Sequence, residues 1–150
     1  MILDETLEFA DATSVGAPNN STVNVGDVVD LNPARDIGHG DPIYLVVQVT
    51  TAVTSGGAAT VSFLLVSDSV STPAVDGTQT VHFESAVIPK ATLVAGYKLV
   101  VPLPSEGPPY ERYLGVQVRE NAGQALTAGN INAFLTLDAA KWTAYADAQN

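Results

Sequence analysis

The chain of 150 residues contains no cysteine, only six basic residues and no long apolar run. Without cysteine it has no disulfide framework and no thiolate chemistry. Six Lys and Arg against sixteen Asp and Glu give a formal net charge of -10, which repels the phosphate backbone that nucleic-acid-binding proteins neutralise with basic side chains. No stretch approaches the ~20 apolar residues that span a bilayer, and the first residues have no basic segment of a secretory signal. We therefore expect no nucleic-acid partner and no membrane partner.

Patterns typical of catalysis are also scarce. The two histidines are His39, between glycines in a turn, where we expect a donor to local carbonyls, and His82, which we expect to face solvent on a strand. No serine lies in a Gly-x-Ser-x-Gly elbow. The densest group of acids comprises Asp27, Asp30, Asp36 and Asp41. Because these acids lack the EF-hand spacing, we interpret them as solvated strand ends. The sequence predicts no enzyme, no cofactor and no metal site.

One stretch organises the rest of the chain, namely residues 34–50. Its first half is a turn punctuated by glycine and proline, and its structural residues are Arg35, Asp36, Gly38, Gly40 and Pro42. Arg35 is either a simple exposed charge or forks onto a carboxylate or several carbonyls there, and Arg112 could do the same at its own strand. The second half, Ile43 to Thr50, is almost wholly apolar and rich in β-branched residues. That pattern predicts a central strand covered on both faces.

Seven segments alternate between apolar and polar residues and are bounded by turn residues, as expected of short strands. They are Val23–Leu31, Ile43–Thr50, Ala59–Ser67, Gln79–Ala86, Tyr97–Leu103, Arg112–Arg119 and Ile131–Leu137. No helical period persists beyond about three turns. The sequence therefore predicts a single all-β domain, an antiparallel jelly roll or β-sandwich of about seven to eight strands. The pattern does not separate a sandwich from a barrel.

Four details of these strands are predicted as well. Gly26, beside Asp27, predicts a bulge in the first strand. Pro102 cannot donate to a sheet, so its strand is predicted to lie at an edge or to end there. Alternation places the side chains of Val81 and Phe83 inward, and it places Leu137 inward on the last strand.

The segments that flank this domain carry the candidate contact residues. We divide the chain into an N-terminal arm (residues 1–20), the β domain (21–138) and a C-terminal tail (139–150). The apolar residues of the first segment are Ile2, Leu3, Leu7 and Phe9. The segment is either a frayed terminus or an arm that buries Leu7 and Phe9 against its own domain or a neighbour. In the tail, Trp142 and Tyr145 either cap the core from outside, dock onto a partner or stack on a sugar.

Several segments, taken together and in order, resemble the capsid cement (decoration) proteins of short-tailed bacteriophages. They are Met1-Ile-Leu-Asp, Ala34-Arg-Asp-Ile-Gly-x-Gly-x-Pro-Ile-Tyr-Leu-Val-Val-Gln-Val, Gly57-Ala-Ala-Thr-Val, Leu93-Val-Ala-Gly-Tyr-Lys, Glu111-Arg-Tyr-Leu and Thr127-Ala-Gly. The likeness runs from Met1 to about Leu137 and so covers almost the whole chain.

The resemblance implies a non-enzymatic jelly roll that binds the outer surface of an icosahedral phage head and ties neighbouring major capsid proteins together. It also implies a small homo-oligomer, and we favour a dimer over a trimer because two-fold assemblies are commoner. Such a protein is made in the host cytoplasm and resides on the outer capsid surface of the virion. We place its contacts at Ile2, Leu3, Leu7, Phe9, Trp142 and Tyr145.

Two other functions stay open at this point. One is a glycan-binding jelly roll of a phage tail or host-recognition apparatus, which would use Trp142 and tyrosines as stacking platforms. The other is a β-fold glycoside hydrolase or lyase, which needs two carboxylates converging in a cleft. The sequence contains no persuasive acid pair for the latter.

Overall fold

The computed structural model describes residues 5–32 and 41–139. Within these ranges the protein is built from strands and two short 3-10 turns, Glu5–Leu7 and Lys90–Thr92. The strands are β1 (Glu8–Ser14), β2 (Thr22–Asp30), β3 (Tyr44–Ser55), β4 (Thr60–Asp68), β5 (Thr80–Glu84), β6 (Ile88–Pro89), β7 (Lys98–Pro102), β8 (Tyr113–Glu120) and β9 (Leu126–Thr136). The predicted all-β fold is confirmed.

The strands form two antiparallel sheets that pack face to face as a sandwich. The four-stranded sheet has the order β1-β9-β3-β7, and the five-stranded sheet has the order β2-β8-β4-β5 with β6 paired to β4. Successive strands alternate between the two sheets, except that β4, β5 and β6 all lie in the five-stranded one, and the two strand orders are those of a jelly roll. The choice between sandwich and barrel is thus resolved in favour of the sandwich. All seven predicted strands are present, and the two additional ones are β1 and the two-residue β6.

The core lies between the sheets and is filled by alternate residues of the central strands, as the period of two requires. From the five-stranded sheet it receives Val61, Phe63, Leu65, Leu114, Val116 and Val118, and from the four-stranded sheet Leu45, Val47, Val49, Ile131, Ala133 and Leu135. β3 pairs with β7 on one side and β9 on the other, and Leu45 through Val49 are all buried. The prediction of a central strand covered on both faces is confirmed.

Gly26 marks the predicted bulge in β2, where the pairing with β8 shifts between Val25 and Val29. Gly26 adopts a positive φ of 68°, which favours glycine. A Cβ at this position would collide with the carbonyl oxygen of Phe9 on β1. The bulge therefore allows the two sheets to approach each other closely at their β1–β2 margin.

The prediction for Pro102 is also confirmed, because β7 ends at this residue and lies at the edge of the four-stranded sheet. Two side chains that were predicted to point inward are exposed. The pairing of β4 with β5 shifts between Leu65 and Val66, and this irregularity leaves Val81 exposed on the outside instead of in the core. Leu137 follows the last residue of β9, so the alternation of that strand no longer controls it, and it is exposed.

Candidate interaction surface

Three of the eleven predicted contact and turn residues lie in the described ranges. Phe9 is on β1, is only 1% exposed and belongs to the core, so the N-terminal segment buries it against its own domain. Leu7 is exposed at the 3-10 turn that precedes β1, and Pro42 is exposed just before β3. The remaining ones lie outside the described residues: Ile2, Leu3, Arg35, Asp36, Gly38, Gly40, Trp142 and Tyr145.

The pairing of the strands shows where these undescribed segments are attached. Glu8 at the start of β1 pairs with Phe134 near the end of β9, and Tyr44 at the start of β3 pairs with Thr136. Asp30, the last residue of β2, pairs with Tyr113 at the start of β8. In the chain, β8 is the strand that follows β7. Segments 1–4, 33–40 and 140–150 therefore all join the sandwich at one end, which we call the termini end.

The outer face of the four-stranded sheet carries an apolar cluster at this end. Val46 of β3 and Phe134 of β9 point away from the core, and both are buried together with Ala139, while Tyr44 packs against them. Outward-facing side chains of an antiparallel sheet are usually polar when that face meets water. The burial of Val46 and Phe134 shows that this part of the face is covered within the chain.

Two exposed apolar side chains lie beside this cluster. Leu137 is 62% exposed and Val100 of the edge strand β7 is also exposed. Together with Tyr44 and Ala139 they form what we call the apolar patch. The patch lines an open groove of about 400 Å³, with Lys98 and Asp138 at its margin.

The outer face of the five-stranded sheet is closed by the chain itself. Residues 69–79 fold over it, and Pro73 is buried so close to Gly115 of β8 that a Cβ there would lie 3.2 Å from the proline Cγ. Asn24 of β2 donates to the carbonyl oxygen of Pro73 at 2.8 Å. Asp68 accepts the N–H of Ala74 at 3.0 Å, and chiefly this bond lowers the pKa of the Asp68 carboxyl.

Gln117 is the centre of this closure and is fully buried. Its amide nitrogen donates to Asn24 Oδ1 at 2.9 Å and to the carbonyl oxygen of Ala74 at 2.7 Å. Its amide oxygen accepts from Gln79 Nε2 at 3.2 Å. A buried amide with both of its ends bonded holds residues 69–79 on the sheet at little net cost.

A second polar cluster joins the edge strand β5 to the connection between β7 and β8. The ring of His82 stacks on that of Tyr110, with 3.9 Å between centroids. His82 Nε2 lies 2.7 Å from Ser67 Oγ, and Ser67 Oγ accepts the N–H of Glu111 at 3.0 Å. His82 is therefore half-buried, and the prediction that it faces solvent is wrong. The irregular pairing of β4 with β5 turns it toward Ser67.

The Ser67–His82 contact does not form an accessible nucleophile and base. Ser67 is fully buried, so a substrate has no path to its oxygen. The nearby carboxylate of Glu111 accepts from Thr80 Oγ1 at 2.7 Å. Nothing in the sequence spacing of these residues signals their proximity, because strand pairing brings Ser67 and His82 together.

The prediction for Arg112 is confirmed. Its Nε and Nη2 donate to the two carboxylate oxygens of Asp30 at 2.9 Å each, and its guanidinium lies 4.9 Å from the centre of the Tyr113 ring. This fork ties the end of β2 to the start of β8 at the termini end.

A groove along β1 is lined by four acidic residues, namely Glu5, Glu8, Asp11 and Asp27. Burial, together with the neighbouring charges of Asp11 and Glu5, raises the pKa of the Glu8 carboxyl. Within residues 5–32 and 41–139 no group of three His, Asp or Glu side chains is arranged to hold a metal ion. The same ranges contain no helix of the length and apolarity needed to cross a membrane.

Comparison with known proteins gives one family. A family model named Bbp16, a name that suggests a phage protein, matches residues 9–135 of the chain. The matched region begins in β1 and ends in β9, so it takes in both sheets and the core between them. A search of curated protein sequences gave no match.

Proposed function

The chain belongs to the Bbp16 family, and from this premise we propose that it is a capsid cement protein of a bacteriophage. In this role it binds the outer surface of an icosahedral head and ties neighbouring major capsid proteins together. It acts without catalysis, is made in the host cytoplasm and resides on the virion. The observation that carries the proposal is the apolar patch at the termini end, supported by the ordered likeness of the sequence to cement proteins.

The apolar patch is suited to a protein contact. Leu137 and Val100 are exposed beside the buried Val46 and Phe134, so an apolar surface continues from the packed cluster into solvent. A contiguous exposed apolar patch with polar residues at its rim is a mark of protein-interaction sites. The contact residues predicted in segments 1–4 and 140–150 are attached at this same end.

The charge of the chain fits a partner that is not nucleic acid. In the described ranges Arg112 is paired with Asp30 and Arg119 with Glu84. An outer layer with net charge -10 stays soluble and keeps away from the packaged genome.

The protein would stabilise the head through the thermodynamic linkage between its own binding and the assembly of the shell. A subunit that contacts two capsid proteins binds only the assembled shell, so its binding free energy stabilises that assembly. Repetition over a symmetric shell and self-association of the protein, as a dimer in preference to a trimer, add avidity. Modest individual contacts are then sufficient.

Co-sedimentation with phage shells lacking cement tests the proposal. We expect saturable binding at a fixed ratio to major capsid protein and a raised melting temperature of the shells. Leu137→Asp should weaken binding, because it places a charge in the patch. Val87→Asp is the matched control, since Val87 is 58% exposed but lies on the connection after β5, at the opposite end. Absence of binding to any cognate shell, or equal loss in both variants, would contradict the proposal.

The glycan-binding alternative gains no support from the tyrosines of the described ranges. Tyr97 and Tyr110 pack against the core and Tyr44 against the outer cluster, while Tyr113 lies under Arg112. They provide no pair of exposed, coplanar rings. Binding to a glycan array, together with no binding to shells, would reinstate this function.

A further inference from the structure

The cluster around His82 fastens one connection of the jelly roll to a sheet edge. Residues 103–112 lead from β7, the edge of the four-stranded sheet, to β8 in the other sheet. Their contacts with the β4–β5 pair are made by Tyr110 and Glu111, through the ring stack, the Glu111 N–H and the Glu111 carboxylate. We call residues 103–112 the β7–β8 connection.

The hydrogen bonds of Ser67 determine the protonation of His82. A hydroxyl has one proton to donate, and Ser67 Oγ already accepts the N–H of Glu111. In the described part of the chain, His82 Nε2 is the group within reach of the Ser67 proton. The hydroxyl therefore donates to Nε2, which must be unprotonated, and the imidazole is neutral with its proton on Nδ1.

We propose that His82 is a pH-sensitive latch that holds the β7–β8 connection on the five-stranded sheet when neutral and releases it when protonated. A proton that enters from solvent binds Nε2, so this nitrogen becomes a donor aimed at Ser67 Oγ. The Ser67 hydroxyl proton then has no acceptor, and full burial of Ser67 keeps water from supplying one. A buried donor without an acceptor carries its whole desolvation cost.

The surroundings of the ring favour the neutral form. Burial lowers the pKa of His82, and the opposing influence is the carboxylate of Glu111. Tyr110 stays neutral, because burial raises its pKa to about 12. From β4 and β5 the facing groups are the uncharged hydroxyls of Ser67 and Thr80. Among the described residues, Glu111 is the charged group that stabilises an imidazolium here, and its carboxylate already accepts a hydrogen bond from Thr80.

The release has a defined place in the molecule. Tyr110 also donates to the carbonyl oxygen of Pro104 at 2.8 Å, so freeing its ring loosens most of the connection. Leu103 N–H remains bonded to the carbonyl oxygen of Ile43, beside the start of β3. The latch therefore acts at the termini end, next to the apolar patch, but it is a property of the isolated protein and does not rest on the proposed function.

Hydrogen exchange of the isolated protein tests the latch. Exchange is measured at about pH 5 and about pH 7.5, on either side of the ordinary histidine pKa near 6.5, and corrected for intrinsic rates. We expect the amides of residues 105–107 and 110–112 to exchange roughly two- to tenfold faster at the lower pH, the effect of losing one hydrogen bond. The amides of Leu114 to Val118 in β8 serve as the internal reference and should change little.

Two variants assign the effect to His82. His82→Phe keeps a ring on Tyr110 but cannot titrate, and His82→Gln keeps an acceptor for Ser67, so both should lose the pH dependence. His39→Gln removes the other histidine and should retain it. Equal protection at both pH values in the unmodified protein would overturn the proposal, as would a pH dependence that persists in both His82 variants. Neither result bears on shell binding, which is measured separately.

Discussion

The outer faces of the two sheets differ in the kind of side chain that they carry, polar on the five-stranded sheet and apolar on the four-stranded sheet. On the five-stranded sheet, residues 69–79 cover the strands and are held by amide and carboxylate hydrogen bonds. On the four-stranded sheet, the outward positions carry Val46 and Phe134, and exposed apolar side chains continue beside them. The exposed apolar residues beside Val46 and Phe134 support the proposal that a partner binds at the four-stranded sheet.

Two glutamines make this contrast measurable. Gln117 points outward from the five-stranded sheet and is 0% exposed, and Gln48 points outward from β3 of the four-stranded sheet and is 3% exposed. Gln117 has both ends of its amide bonded. The amide nitrogen of Gln48 has no hydrogen-bond partner among the described residues. Gln117 is thus expected to raise the free energy of unfolding, whereas the unbonded amide nitrogen of Gln48 is expected to lower it.

The largest effect is expected from breaking the closed face with Gln117→Met. The substitution keeps the length of the side chain but strips Asn24, Gln79 and the carbonyl of Ala74 of a partner. Because each buried group left unpaired costs about 1–3 kcal/mol, we expect a loss of about 2–4 kcal/mol in the free energy of unfolding. Urea denaturation measures it. A loss below about 1 kcal/mol would show that the closure is not held by this amide.

A second large effect is expected at Glu120, on the same sheet, where a buried carboxylate joins two loops. It accepts the backbone N–H groups of Asn20 at 2.8 Å, Ala122 at 2.7 Å and Gln124 at 3.2 Å. Burial opposes the charge, but these donors outweigh it and lower the pKa of Glu120. We expect Glu120→Gln to cost about 2 kcal/mol at neutral pH, since an amide cannot accept at both ends.

The pH dependence of this loss has a definite sign. Because the folded pKa lies below the unfolded value of 4.5, the contribution of Glu120 is complete above that value and is lost as the pH falls through the folded pKa. The difference in unfolding free energy between the two proteins should therefore shrink in acid. Glu106→Gln, at an exposed position, removes the same charge and should leave stability nearly unchanged. A difference that does not depend on pH would contradict the assignment to ionisation.

The sequence predicted the inner faces of these sheets better than the outer ones. Alternation identifies Val61, Phe63 and Leu65 as core residues because a strand must bury one face. The bulge at Gly26 and the edge at Pro102 were predictable because each residue has a backbone property that the structure uses. These features depend on residues close together in the chain.

The outer faces depend on contacts between distant residues, and so the sequence could not predict them. Gln117 bonds to Asn24 and Gln79, which are far away in the chain, and only the strand order brings them together. His82 was placed outward because its neighbours suggested strict alternation, which the irregular pairing with β4 breaks. The apolar patch was missed for a related reason, since Leu137 was assigned to β9 and Val100 had no pattern to mark it.

A smaller effect of opposite sign is expected from Gln48→Met. This change removes a buried amide nitrogen that has no partner in the described ranges and adds apolar surface next to Val46. Relief of an unsatisfied donor should leave stability unchanged or raise it by up to about 1 kcal/mol. Thermal and urea unfolding, run beside Gln117→Met, measure the pair of glutamines under the same conditions. Equal losses for both would remove the distinction between the two faces.

The smallest effect is expected at Glu8, on the edge strand β1 of the four-stranded sheet. Burial and then the charges of Asp11 and Glu5 raise its pKa, so its ionised form opposes folding above the unfolded value of 4.5 and the opposition fades as the pH falls. Because the side chain is only partly buried and screened by solvent, Glu8→Gln should raise stability at neutral pH by less than about 0.5 kcal/mol. The gain should disappear in acid. At neutral pH it is opposite in sign to the loss of stability expected for Glu120→Gln. If Glu8→Gln instead lowers stability at neutral pH, its carboxylate holds β1 in place and the two sheets do not differ in this respect.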